Sequence, residues 1–279
     1  MPVVISEISH LSCMDICKIP TRVYEMTNFF TPFMSQLPSG TPFVGPEALE
    51  RQHGVSFKAR LGANESVFGP SPRVLEAVRQ AANLMYNYGD PENYDLVQAI
   101  AQHHRLPADH IMVGEGIDGL FGVLARLCCE HGTHVVTSHG AYPTFIYQMA
   151  NVGASIHRVP YHNNHEDLDA LLTCVQQTKA RIVYVSNPDN PMGSWHSAEK
   201  MKAFIEELPK DCLLVLDEAY IDFAPEDTLL DEREVYDNVL RFRTFSKAHG
   251  LAGMRVGYVI GLPNMVSGFN KIRNHFGMS

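Results

Sequence analysis

Cysteine is scarce and unpatterned in this sequence. There are six among 279 residues; Cys128 and Cys129 are adjacent, and Cys13 and Cys17 have no second pair to close a zinc site. A disulfide-stapled scaffold is therefore excluded, and reduced thiols in a cytoplasmic protein are expected. Basic residues are also few, 22 against 31 acidic ones, and the formal net charge of −9 comes without a basic cluster. No nucleic-acid partner is expected on that balance. No apolar run approaches the roughly 20 residues of a membrane-spanning helix, so no membrane partner is expected either. The opening "MPVVISEISHLSCMDICKIP" lacks the charged head, apolar middle and small-residue cleavage site of a signal peptide. Fourteen histidines include "HGTH" at 131–134 and "HNNH" at 162–165, but neither has the helical register or carboxylate partner of a metal site. Surface histidines, and no metal, are the expectation.

What the chain does have is hydrophobic residue, 45%, in a regular alternation that begins near residue 71. Residues 1 to about 55 read as irregular, with "TPFMSQLPSGTPFVGP" rich in Pro, Gly, Ser and Thr. "SPRVLEAVRQAANLM" then predicts a helix with Ser71 as N-cap and Pro72 at its first position, and "ENYDLVQAIAQHH" a second. "HIMVG", "HVVTS", "SIHRVP", "ARIVYVS" and "CLLVLD" read as strands. Between them, "IDGLFGVLARLCCEHG" (closed by Gly132), "YPTFIYQMANVG", "HEDLDALLTCVQQT" and "SAEKMKAFIEELP" read as helices. "NVLRFRTFS" and "MRVGYVIG" follow as two strands with no room for a crossover helix, so one of them runs antiparallel. The expected fold is α/β, a three-layer αβα sandwich around a mostly parallel mixed sheet.

"VGEGIDGLFGVL" contains G-x-G-x-x-G in Gly114, Gly116 and Gly119. A dinucleotide site needs an acidic residue roughly 20 positions on, at the end of the next strand. That window reads "VVTSHGAY" and holds none, so the dinucleotide reading fails. A phosphate-binding reading survives, because Gly114 to Asp118 still place free N–H groups at a helix N-terminus.

Three polar clusters follow three apolar strands: Asn187 to Gly193; Asp217, Glu218 and Tyr220; and Thr244, Ser246 and Lys247. Ligands of open α/β sheets bind beyond the carboxyl ends of strands, so these clusters are expected to meet the glycine loop in one crevice. A phosphate cup, a carboxylate, amide and phenol donors and a lysine together match the needs of pyridoxal phosphate. Taken singly, each residue has a plainer reading. Lys247 could be a solvated charge, Asp217 a loop cap, Asn190 a turn residue, Tyr88 and Phe145 local packing, and Arg255 a partner for any surface acid.

Quoted in order, "RLGANESVFGPSP", "NYGDP", "GEGID", "YPTFIY", "NPDNPMG", "DEAYIDF" and "RTFSKAHGLAGMRVGY" resemble the class I/II, fold-type-I aminotransferases, the histidinol-phosphate aminotransferase group most closely. The resemblance covers most of the chain and implies a pyridoxal-phosphate-dependent aminotransferase. It implies Lys247 as the Schiff-base lysine, Asp217 as partner of the ring nitrogen, and Asn190 and Tyr220 as donors to the ring oxygen. Gly116, Ile117 and Asp118, with Thr244, Ser246 and Arg255, are implied to form the phosphate cup, and Phe145 to stack on the ring. Tyr88 is implied to reach the cofactor of a neighbouring subunit, hence a homodimer.

The implied reaction is ping-pong transfer of an amino group between an amino acid or amine, histidinol-phosphate-like or aromatic, and a 2-oxo acid such as 2-oxoglutarate. Decarboxylase or lyase chemistry on the same fold, and a non-catalytic sensor module, are the alternatives. The implied organisation is an N-terminal arm with part of a small domain over 1–58 and a large cofactor-binding domain over 59–279. The family's C-terminal small domain, with its carboxylate-gripping arginine, is expected to be absent, as in a truncated chain.

Overall fold

The computed structural model describes residues 29–40, 43–231 and 233–278. Cys13, Cys17 and the opening segment lie outside the described residues. The chain divides into two compact units, Met1–Pro38 and Ser39–Ser279. The larger one takes in residues 39–58 and, with them, a helix where the sequence read as irregular: α1, Pro46–His53. Its signals are Pro46 in the first turn and Gly54 closing it in the left-handed region at φ 65°. The described part of the smaller unit contains a single 3-10 turn, Met34–Gln36.

Seven strands and their helices follow in nearly the expected order. They are α2 (Pro72–Ala81), α3 (Tyr94–His104), β1 (Ile111–Gly114), α4 (Gly116–Cys128), β2 (His134–Ser138), α5 (Pro143–Asn151) and β3 (Ser155–Val159). Then come α6 (Leu168–Thr178), β4 (Ile182–Ser186), α7 (Ala198–Glu207), β5 (Leu213–Asp217), β6 (Val239–Thr244), β7 (Gly257–Ile260) and the short α8 (Pro263–Val266). Ser71 caps α2 as expected, accepting a hydrogen bond from the Val74 N–H. Gly132 does not close α4, which ends at Cys128 with the extended Cys129 as its cap; Gly132 instead turns the chain toward β2. Cys128, Cys129, Cys174 and Cys212 are free thiols.

The sheet order is β1-β7-β6-β5-β4-β2-β3. β7 pairs antiparallel with both neighbours and every other pairing is parallel. Strand periodicity sends alternate residues to opposite faces. Val215, Tyr184, Phe242 and Val259 pack beneath α4 and α5 with Phe121 and Met149. Leu214, Leu216 and Val183 pack against α6 and α7, and Ile111, Val113 and Tyr258 against α3. The sheet is thus covered on both faces, the three-layer αβα arrangement. α4 pins its own N-terminus to the sheet, because Ile117, Leu120, Phe121 and Leu124 form one buried stripe at helical spacing.

Candidate functional site

A cleft of about 630 Å³ opens over the carboxyl ends of the parallel strands. It gathers the end of β4 with Asn190, the end of β5 with Asp217 and Tyr220, and Thr244, Ser246 and Lys247 after β6. Ile117 and Asp118 at the start of α4, and Arg255 just before β7, complete the floor. Connections leaving strand ends in one direction must converge, so residues 117 to 255 meet here by topology.

Asp217 is 3% exposed. It accepts from the Tyr184 hydroxyl at 2.7 Å and from the Ala219 N–H at 2.9 Å. Burial pushes its carboxyl up to about 6, against the lowering effect of those two donors. Lys247 lies across the cleft: its Nζ donates to the Ala63 carbonyl at 2.7 Å and sits 5.6 Å from the centre of the Tyr220 ring. The Tyr220 hydroxyl in turn accepts from Asn64 Nδ2 at 2.9 Å.

At the other end, Thr244 Oγ1 donates to Ser246 Oγ at 2.9 Å and also accepts from the Ser246 N–H. The Arg255 guanidinium reaches Ser246 Oγ at 3.5 Å and the Asp118 carboxylate at 3.4 Å. It lies directly over Gly116, where an added Cβ would come within 2.7 Å of Nη2. Gly116 also has φ 71°, a conformation that a side chain would strain. Backbone N–H groups of a helix start, two hydroxyls and a guanidinium therefore face one small volume, a donor set suited to a phosphate dianion.

Two expected site residues stand elsewhere. Phe145 is fully buried beneath the cleft, stacked on Tyr184 with ring centres 4.3 Å apart. It is one inward turn along α5, while Tyr142, the cap residue preceding that helix, lines the cleft. The aromatic wall is thus Tyr142, with Tyr147 nearby, and Phe145 supports Tyr184 under Asp217. Tyr88 does not line the cleft; it is 82% exposed, with its ring 4.7 Å from that of Phe276. Sequence reasoning also passed over Ala63 and Asn64, which reach the site from a loop far upstream, and Tyr184, which sits mid-strand.

The class I and II aminotransferase family model matches residues 58–279. The histidinol-phosphate aminotransferase of Staphylococcus epidermidis is 32% identical over 250 residues, covering 88% of this chain and 71% of that protein. The one from Anaeromyxobacter sp. is 36% identical over 249 residues, covering 88% and 68%. The crystal structure of histidinol-phosphate aminotransferase from Sinorhizobium meliloti, in complex with pyridoxal-5'-phosphate, matches with a TM-score of 0.88 and 54% identity. That match spans 91% of this chain and 69% of that one. By family model, sequence and fold together, this chain belongs to the class I and II aminotransferases.

Proposed function

We propose that the cleft binds pyridoxal phosphate and that the protein transfers an amino group from a histidinol-phosphate-like or aromatic amine to a 2-oxo acid. The observation that carries this is Asp217. It is fully buried, open to the cleft, and hydrogen-bonded only to neutral donors in the contacts just described. A carboxylate so placed is costly until a cation arrives from the ligand, and a protonated ring nitrogen supplies one. The donor set of Ile117, Thr244, Ser246 and Arg255 fits the phosphate of the same molecule. The S. meliloti relative holds that cofactor, which adds support.

Bound there, pyridoxal phosphate would supply an aldehyde that bonds covalently to amines and a ring that withdraws electrons. The chain's own part is read from the groups that line the cleft. Lys247 would hold the aldehyde carbon and, when displaced by substrate, carry a proton from the substrate Cα as a positioned base. Asp217 would keep the ring nitrogen protonated through that transfer. Asn190 and Tyr220 would orient the ring through its oxygen, and Tyr142 would cover its face. With 2-oxoglutarate as acceptor the two half-reactions would alternate in ping-pong order.

We place the protein in the cytoplasm and infer a homodimer in which Tyr88 approaches the partner's cleft. Leu84, Met85, Tyr86 and Tyr88 are all more than half exposed, an apolar surface that a second copy would cover. No helix among the described residues is long and apolar enough to cross a membrane. The test is an absorption spectrum with pyridoxal phosphate, then borohydride reduction, peptide mapping and assay of histidinol phosphate against aromatic amino acids. A yellow protein labelled on Lys247 supports the reading; a folded, colourless protein with no label there overturns it.

A further inference from the structure

The loop from Gly62 to Glu65 lines the cleft from outside the sheet. Asn64 adopts φ 54°, the left-handed region that asparagine tolerates better than most side chains. Its amide donates to the Tyr220 hydroxyl oxygen at 2.9 Å, from 156 residues away in sequence. A phenol has one proton to donate and lone pairs to accept with. A donor that occupies a lone pair leaves that proton free for another acceptor.

We propose that Asn64 is a positioning residue: by donating to Tyr220 it directs the Tyr220 O–H toward the ring oxygen of the cofactor. This rests on the cofactor reading above. Three features agree with it. The amide and the phenol meet at the cleft wall, on the same side as Lys247, whose Nζ lies over the Tyr220 ring. The loop is tied there a second time, through the Ala63 carbonyl and Lys247 Nζ. The left-handed turn at Asn64 occurs directly after that carbonyl, so one backbone feature presents both groups to the site.

The role has a consequence that a packing role lacks. In Asn64→Asp the side chain keeps its size and its tolerance of φ 54°, but it accepts where the amide donated. Tyr220 would then turn its proton to the introduced carboxylate and away from the cofactor. In Asn64→Ala the proton is merely unguided, so the loss is smaller. Donation to the ring oxygen matters most once the nitrogen that would join Lys247 to the aldehyde carbon has lost its proton, the ring nitrogen keeping its own. Loss of the Tyr220 donor therefore raises the pH midpoint of the visible absorbance change of the loaded protein.

The experiment compares wild type, N64D, N64A, Y220F and both double variants, each loaded with pyridoxal phosphate. It reads the cofactor dissociation constant and that absorbance midpoint. N64D is expected to weaken cofactor binding about fivefold and to raise the midpoint by about half a pH unit, as for one hydrogen bond. N64A should do about half as much, and both effects should vanish in the Y220F background. An N64D effect that persists unchanged without the Tyr220 hydroxyl, or an N64D no different from wild type, overturns the proposal. If Y220F shifts both readouts and N64D shifts neither, only the role of Asn64 falls. If wild type takes up no cofactor and borohydride fixes none to Lys247, the cofactor reading falls, and this one with it.

Discussion

Asp217 and Glu218 are neighbours at the end of β5, both buried, and opposite in the direction their carboxyls are shifted. Strand alternation sends Asp217 to the face under α4 and α5, where it meets Tyr184 and the cleft. Glu218 goes to the other face, where Arg241 contacts both its oxygens at 3.0–3.1 Å and Arg243 donates at 2.8 Å. Burial pushes both carboxyls up. For Glu218 the two guanidiniums outweigh it and hold the carboxyl below its usual range; for Asp217 nothing does, and it stays near 6. One face of the sheet uses its cations to hold the frame together, and the other leaves a buried acid beside the cleft, which the proposed cofactor would satisfy.

The sharpest test of that division is to change each face and read both function and stability. Lys247→Ala or Asp217→Asn should lower the transamination rate at least a thousandfold while costing the fold no stability, measured by steady-state kinetics beside urea unfolding. Next in size, Glu218→Gln should cost about 3–5 kcal/mol of unfolding free energy, because it strands two buried guanidiniums. Equal stability losses from Asp217→Asn and Glu218→Gln would break the comparison.

The pH dependence of the cofactor-free protein should show the two signs. Asp217, raised from 3.8 to about 6, binds its proton in the folded state before the unfolded one does. Between about pH 4 and 6 stability should therefore fall as pH rises, by about 3 kcal/mol, and Asp217→Asn should remove that slope. Glu218, lowered in the folded state, contributes stability above its unfolded value and loses it as pH falls through its folded one. Urea midpoints across pH 3–8 for wild type, Asp217→Asn and Glu218→Gln check both. Smallest is Arg255→Lys, expected to weaken cofactor binding about tenfold by equilibrium dialysis with no change in fold, since an ammonium cannot reproduce the planar fork.

Much of this division is legible in the order of residues alone. "CLLVLD" is apolar on every residue but the last, so it demands a strand covered on both faces with Asp217 at its end. The antiparallel pair β6–β7 follows from the absence of a crossover between "RFRTFS" and "MRVGYVIG". Phe145 was misplaced because "YPTFIY" offers three aromatic rings within six residues. Which one faces the cleft depends on where α5 starts, and it starts after Tyr142. The missed α1 carried its own cap signals, Pro46 and Gly54, inside a stretch whose composition spoke for loop.

By itself the sequence determined the layer order, the strand ends that carry the polar clusters, and the lysine, carboxylate and glycine turn that the proposed site draws on. These depend on local periodicity and on the rule that parallel strands present their carboxyl ends together. Only the tertiary structure decided that Tyr184 holds Asp217, that Arg241 and Arg243 share Glu218, and that Asn64 reaches Tyr220 across 156 residues. Those contacts join side chains whose separation in the chain carries no pattern. They form because each buried polar group must find a partner wherever folding brings one within reach.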